Sequence, residues 1–193
     1  MTQIILDLRD NGGGLVSQAY RVADAFLSAG QTVFIQKGRI EGTNESYGAQ
    51  NPNPDRSPVV VLVNRNTASA SEILAGALQD NGRAIIMGTQ SYGKGSVQSV
   101  IPLPGNSAIK LTTARYYTPD GRSIQAKGIV PDVMTLAKGL GNGFPIAGLV
   151  APAAMVESFG AWGMYFNTFA GSPVACAAAM AVLETIEQEQ LLA

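Results

Sequence analysis

Two short apolar runs frame the chain. Ile4-Ile5-Leu6-Asp7-Leu8 reads as a core strand, and Val59-Val60-Val61-Leu62-Val63 contains no polar residue at all. A strand with one wet face alternates, so an unbroken apolar run belongs to a sheet covered on both sides, as parallel sheets are. Each run ends in a turn: Arg9-Asp10-Asn11 and three glycines, Gly12, Gly13 and Gly14, after the first, and Asn64-Arg65-Asn66-Thr67 after the second. Each turn leads into helical spacing. Leu15, Ala19, Val22 and Phe26 keep one face, with Gly30 as a stop; Ala70, Ile73, Leu74, Ala77 and Leu78 keep another until Asp80-Asn81-Gly82. Further strands are predicted at 31–36, 84–87, 96–102 and 108–117, with turns at Pro104-Gly105-Asn106 and Pro119-Asp120-Gly121. Residues 41–57, rich in Gly, Asn and Pro, read as loop. The order β-α-β-β-α-β followed by hairpins predicts an α/β domain.

Composition narrows the chemistry. The 193 residues suit one domain, or one domain with a fragment attached. Thirteen Lys and Arg against fourteen Asp and Glu give a net charge of −1, which argues against a basic nucleic-acid surface or a polybasic membrane anchor. The longest apolar stretch, Phe144 to Val156, is shorter than the roughly 20 residues of a membrane span. Met1 runs straight into a strand pattern, so no signal peptide is expected, and the single Cys176 cannot form an internal disulfide. There is no histidine, which removes Ser-His-Asp and Cys-His catalysts and His-ligated metals together. Acid and base work then falls to Lys, Asp, Glu, Tyr or Cys.

Two segments carry candidate chemistry. Thr67-Ala68-Ser69-Ala70-Ser71-Glu72 lies where a buried strand passes into a helix, beside free backbone N–H groups. Ser69 could be a nucleophile there, or the first residue of an S-x-x-E capping box with Glu72. In Gly88-Thr89-Gln90-Ser91-Tyr92-Gly93-Lys94-Gly95-Ser96-Val97-Gln98, Lys94 stands between two glycines. It is either a solvated loop lysine or a general base, and as a base its amine must be neutral, drawn from about 10.4 towards roughly 7–8 by burial.

The linked segments DLRDNGGG, VLVNRNTASASEILAGALQDNGRA, GTQSYGKGSVQSVIPL and LTTARYYTPDGRSIQAKGIVPDV resemble the C-terminal processing peptidases over residues 3–133. That resemblance implies a crotonase/Clp-protease-like α/β core and a serine endopeptidase working through a Ser-Lys dyad on polypeptide substrates, without cofactor or metal. It implies Ser69 as nucleophile, Lys94 as general base, Gln98 as the group that orients the lysine, and an oxyanion site of backbone N–H groups from Gly13, Gly14 and Ala70. Ser71 then stays structural, and Asp80 matches an acidic position of the family. The family carries a PDZ domain that binds substrate C-termini, for which these residues have no counterpart, and the matched region starts inside its catalytic domain. Members usually work outside the cytoplasm.

After Val133 the character changes: residues 134–193 hold one lysine, Lys138, and no arginine, and the closing stretch from Val174 to Ile186 has an amphipathic helical pattern. PDVMTLAKGLGNGFPIAGLVA and YFNTFAGSPVACAAAMAVLETIEQEQLL resemble class III pyridoxal-phosphate aminotransferases over residues 131–193. By that likeness Lys138 would be the Schiff-base lysine for pyridoxal phosphate, and Thr168 would reach the cofactor phosphate of a neighbouring subunit. Pro131-Asp132-Val133 fits both patterns, so the chain reads as two unrelated coding sequences joined there. Domains at 1–133 and 134–193 are expected, the second not autonomous and catalytically silent. The competing readings are a pyridoxal-phosphate aminotransferase fragment and a non-functional chimera.

Overall fold

The computed structural model describes residues 3–39, 44–163 and 171–191. It divides into two compact units, Met1–Pro131 and Asp132–Ala193. In the first, β1 (Ile4–Asp7), β4 (Val59–Val63) and β5 (Ala84–Gly88) run parallel, with Ile4 opposite Val59 and Val59 opposite Ala84. Val59, Val61 and Val63 are buried while Val60 and Leu62 are half-buried on the opposite face, which explains the run without a polar residue.

The other strands of this unit form an antiparallel sheet in the order β3-β2-β7-β6. They are β2 (Thr32–Gly38), β3 (Glu45–Gly48), β6 (Ser96–Leu103) and β7 (Ser107–Tyr117). β3 falls inside the stretch that reads as loop. Its flanking Asn, Gly and Pro hide four residues that pair with β2, and the pairing is held by Phe34 and Tyr47, whose rings stack at 4.3 Å.

α1 (Val16–Phe26) packs on α2 (Ala70–Asp80), and α2 touches both β5 and β2. Nine consecutive residues of α2, Ala70 to Leu78, are therefore buried. The spacing predicts a helix with one apolar side. The structure instead encloses the helix all round, so Ser71 and Glu72 are taken out of water with it.

The second unit contains an antiparallel pair, β8 (Val133–Leu136) and β9 (Gly148–Val150), a 3-10 turn at Lys138–Gly141, α3 (Ala153–Trp162) and α4 (Pro173–Gln188). α4 packs on the 3-10 turn. α3 buries none of its residues and α4 only Ala175 and Ala179. Among the described residues no helix is long and apolar enough to cross a membrane.

Candidate active site

The turn from β4 into α2 is pinned to the turn after β1. Thr67 is fully buried; its hydroxyl donates to the Leu8 carbonyl at 2.7 Å and accepts the Asn64 N–H at 3.0 Å, while the Ala68 N–H donates to the Asn11 carbonyl at 3.0 Å. Between these ties Ser69 adopts φ 59° and ψ −121°. Few non-glycine residues occupy that region, at a cost of about 1–3 kcal/mol. The strained turn places Ser69 at the head of α2, half-buried, the geometry of a nucleophile turn between strand and helix.

Gly13 lies directly against this turn. At its φ of +95°, a Cβ would stand 2.7 Å from the Ala68 oxygen and 2.8 Å from the Ser69 Cβ, so only glycine fits. The Gly13 N–H donates to Asn11 Oδ1 at 3.0 Å and is thereby occupied. The Gly14 and Ala70 N–H groups donate to nothing among the described residues. Both residues line a mainly apolar cavity of about 240 Å³, together with Leu15, Ser71 and Leu74. Of the three oxyanion amides that the resemblance implies, these two are available.

Glu72 connects the serine to the lysine. It is fully buried, yet four donors converge on it: Oε2 accepts the Ser69 N–H and the Lys94 N–H, each at 2.8 Å, and Oε1 accepts the Gly93 N–H at 2.6 Å and the Ser91 hydroxyl at 2.5 Å. A carboxylate offers about four acceptor positions, and here all are used, which is what allows it to be buried. The capping-box reading of Glu72 thus captured one bond of four. Nothing in the sequence links position 72 to the loop at 91–94, because that proximity is tertiary.

The lysine loop is gripped from its other side by residues 124–128. The Ala126 N–H donates to the Gly93 carbonyl at 2.8 Å and the Gly95 N–H to Gln125 Oε1 at 3.1 Å. A Cβ on Gly95 would come within 2.5 Å of the Gln125 nitrogen, so the strap can approach only glycine. Lys94, Gly12, Asn66, Ala68 and Tyr92 line one open cleft of about 550 Å³. The structure therefore brings the lysine, the first glycine of the turn and the neighbour of Ser69 to one mouth.

The Lys94 side chain itself is exposed, and no hydrogen bond joins it to the Ser69 hydroxyl among the described residues. This departs from the shielded amine that a general base requires. The physical reason is that Glu72 and the strap fix the backbone of Lys94, while no element packs over its side chain. Gln98 is exposed on β6 beside a bulge and sits opposite Thr112; no hydrogen bond ties it to Lys94. Asp80, at the far end of α2, is structural. Its nearly buried carboxylate pairs with Arg122 and accepts the Asp120 N–H at 2.9 Å, holding the turn after β7. The Lys138 side chain and Thr168 lie outside the described residues.

Against this geometry, the model of Peptidase family S41 matches residues 1–135, and the chain belongs to that family. The carboxy-terminal-processing protease of Bartonella bacilliformis is 54% identical over 131 residues, 67% of this chain and 30% of that protein. The carboxyl-terminal-processing protease of Picosynechococcus is 45% identical over 128 residues, again 30% of its length. Among solved structures, a photosystem II D1 C-terminal processing protease superposes with a TM-score of 0.62 at 41% identity, covering 67% of this chain and 33% of that one. The chain thus spans about 30% of the length of the curated relatives it matches. A second model, aminotransferase class-III, matches residues 121–193.

Pyridoxal phosphate asks for an acid facing the ring nitrogen and a cationic or amide-rich phosphate cradle. Among the described residues, the hollow beside the turn at 138–141 is lined by Asn142, Phe144, Ala178, Val182 and Ile186 among others, with no charged residue.

Proposed function

We propose that residues 1–131 carry the nucleophile edge of a serine endopeptidase of the C-terminal processing type. The observation that carries this reading is the strained Ser69 turn, joined through the buried Glu72 carboxylate to the backbone of Lys94. Ser69 attacks the scissile carbonyl, and the oxyanion is received by the Ala70 and Gly14 N–H groups, with Gly13 shaping the turn. Lys94, neutral at that moment, takes the hydroxyl proton and passes it to the leaving amine; water then releases the acyl group by the same route. Gln98 orients the lysine. In the free chain the Lys94 side chain is exposed, and a bound polypeptide lying across Gly12 and Ala68 covers it.

Cleavage of a peptide by the parent chain, by Ser69→Ala and by Lys94→Ala tests the reading. Both variants are expected to lose about 10²–10⁴-fold in rate. Equal rates in all three would leave a non-functional chimera. The second unit is proposed to be catalytically silent, no cofactor being part of the reaction. Two coding sequences joined at 131–133 account for family matches that overlap only over residues 121–135. Sequencing the genomic locus across those codons tests that origin.

A further inference from the structure

α1 separates two hollows. One is the apolar cavity beside Gly14 and Ala70; the other, on the far side of the helix, is a cleft of about 600 Å³ between α1 and the antiparallel sheet. Four rings form its walls, Tyr20 from α1, Phe34 from β2, Tyr47 from β3 and Tyr116 from β7, and Gln36 and Gln50 line it as well. No lining residue is charged. A hollow of this size and polarity suits a neutral, partly aromatic ligand.

The tyrosine hydroxyls differ. Tyr20 donates to the Gly48 carbonyl at 2.8 Å, and Tyr47 is engaged by Glu45. Tyr116 is only 8% exposed, yet its hydroxyl makes no hydrogen bond among the described residues. Its ring meets Phe34 edge to face at 5.6 Å, a contact that phenylalanine would make equally well. Thr118 Oγ1, not the Tyr116 hydroxyl, is the one buried side-chain polar atom without a partner among the described residues, so the Tyr116 hydroxyl keeps its access to the cleft and is free to donate to a ligand there. Burial also raises its pKa, so it remains a donor at neutral pH.

Position supplies the rest. Val16 and Ser17, in the first turn of α1, line this cleft, and Gly14 lines the other. Two residues of chain span at most about 7 Å, so a polypeptide held at the Gly14 and Ala70 amides reaches the cleft within a few extended residues. We propose that the cleft is a peptide-binding subsite that takes an uncharged aromatic side chain, with the Tyr116 hydroxyl donating to a carbonyl of the same polypeptide. On the peptidase reading, on which its place along the substrate rests, that side chain lies two to four residues from the bond presented to Ser69. The side-chain amides of Gln36 and Gln50 match the donors and acceptors of a peptide backbone, and the lack of any cation in the wall disfavours an acidic ligand.

The test uses the full chain carrying Ser69→Ala, which separates binding from turnover, titrated calorimetrically with blocked tripeptide amides whose central residue is tyrosine, alanine or glutamate. The tyrosine peptide is expected to bind most tightly and the glutamate peptide least. Adding Tyr116→Phe should weaken the tyrosine peptide roughly tenfold without shifting the melting temperature. Ser17→Trp, which fills the cleft from an exposed position on α1, should abolish binding while the circular dichroism spectrum stays that of the parent. Equal affinity for the three peptides, or binding indifferent to both substitutions, overturns the subsite. Preferential binding in a chain whose Ser69 parent cleaves nothing would sustain the subsite and remove the peptidase reading instead.

Discussion

A single carboxylate, Glu72, holds the two proposed catalytic residues in register. Replacing it with glutamine keeps the shape but turns one acceptor oxygen into a donor facing other donors. Glu72→Gln is expected to cost about 3 kcal/mol in urea unfolding and to lower cleavage further than that loss of folded protein explains. Unchanged stability would mean the four bonds to it are replaceable. Acid sensitivity has a source in the exposed Asp7, whose carboxyl is held at about 2 by hydrogen bonds from Arg9, against an ordinary 3.8. A lowered native pKa means the pair's stabilisation is whole above 3.8 and is lost as pH falls through about 2. Asp7→Asn should therefore flatten the fall in urea midpoint between those two values, and a parallel fall in parent and variant would contradict it.

The elements repeat the lesson that glycine marks where backbones must meet. Gly95→Ala pushes against the Gln125 nitrogen, and a shifted strap is expected to cost about 1–3 kcal/mol in thermal or urea unfolding. A neutral Gly95→Ala would show that the strap is free to move. The strands and the two long helices of the first unit were legible because hydrophobic period survives in a single sequence: the run at 59–63 and the spacing at 70–78 each name their element. β3 was not, since Glu45-Ser46-Tyr47-Gly48 shows its purpose only through Tyr47 stacking on Phe34. Ser69 and Lys94 stand out in the sequence by type and setting, as the residues proposed for nucleophile and base. The fourfold use of Glu72, the engagement of the Gly13 amide by Asn11 and the exposure of the Lys94 side chain are tertiary facts that no local pattern encodes.

Across the whole chain, order is uneven. The first unit has two sheets closed over a helix buried on every side, whereas α3 buries nothing and α4 buries two alanines. Hydrogen exchange followed by mass spectrometry is expected to show slow amides in α2, β4 and β5 and near-unprotected amides in α3. Equal protection in α2 and α3 would contradict this division. The proposed chemistry belongs to the first unit alone, and its most direct test is covalent. The parent chain is treated with an electrophilic serine-reactive fluorophosphonate, and the adduct is located by peptide mass spectrometry. A single adduct on Ser69 is predicted, abolished in Lys94→Ala. Labelling of Ser69 at the same rate in Lys94→Ala, or no labelling of Ser69 at any pH, would contradict the Ser-Lys chemistry.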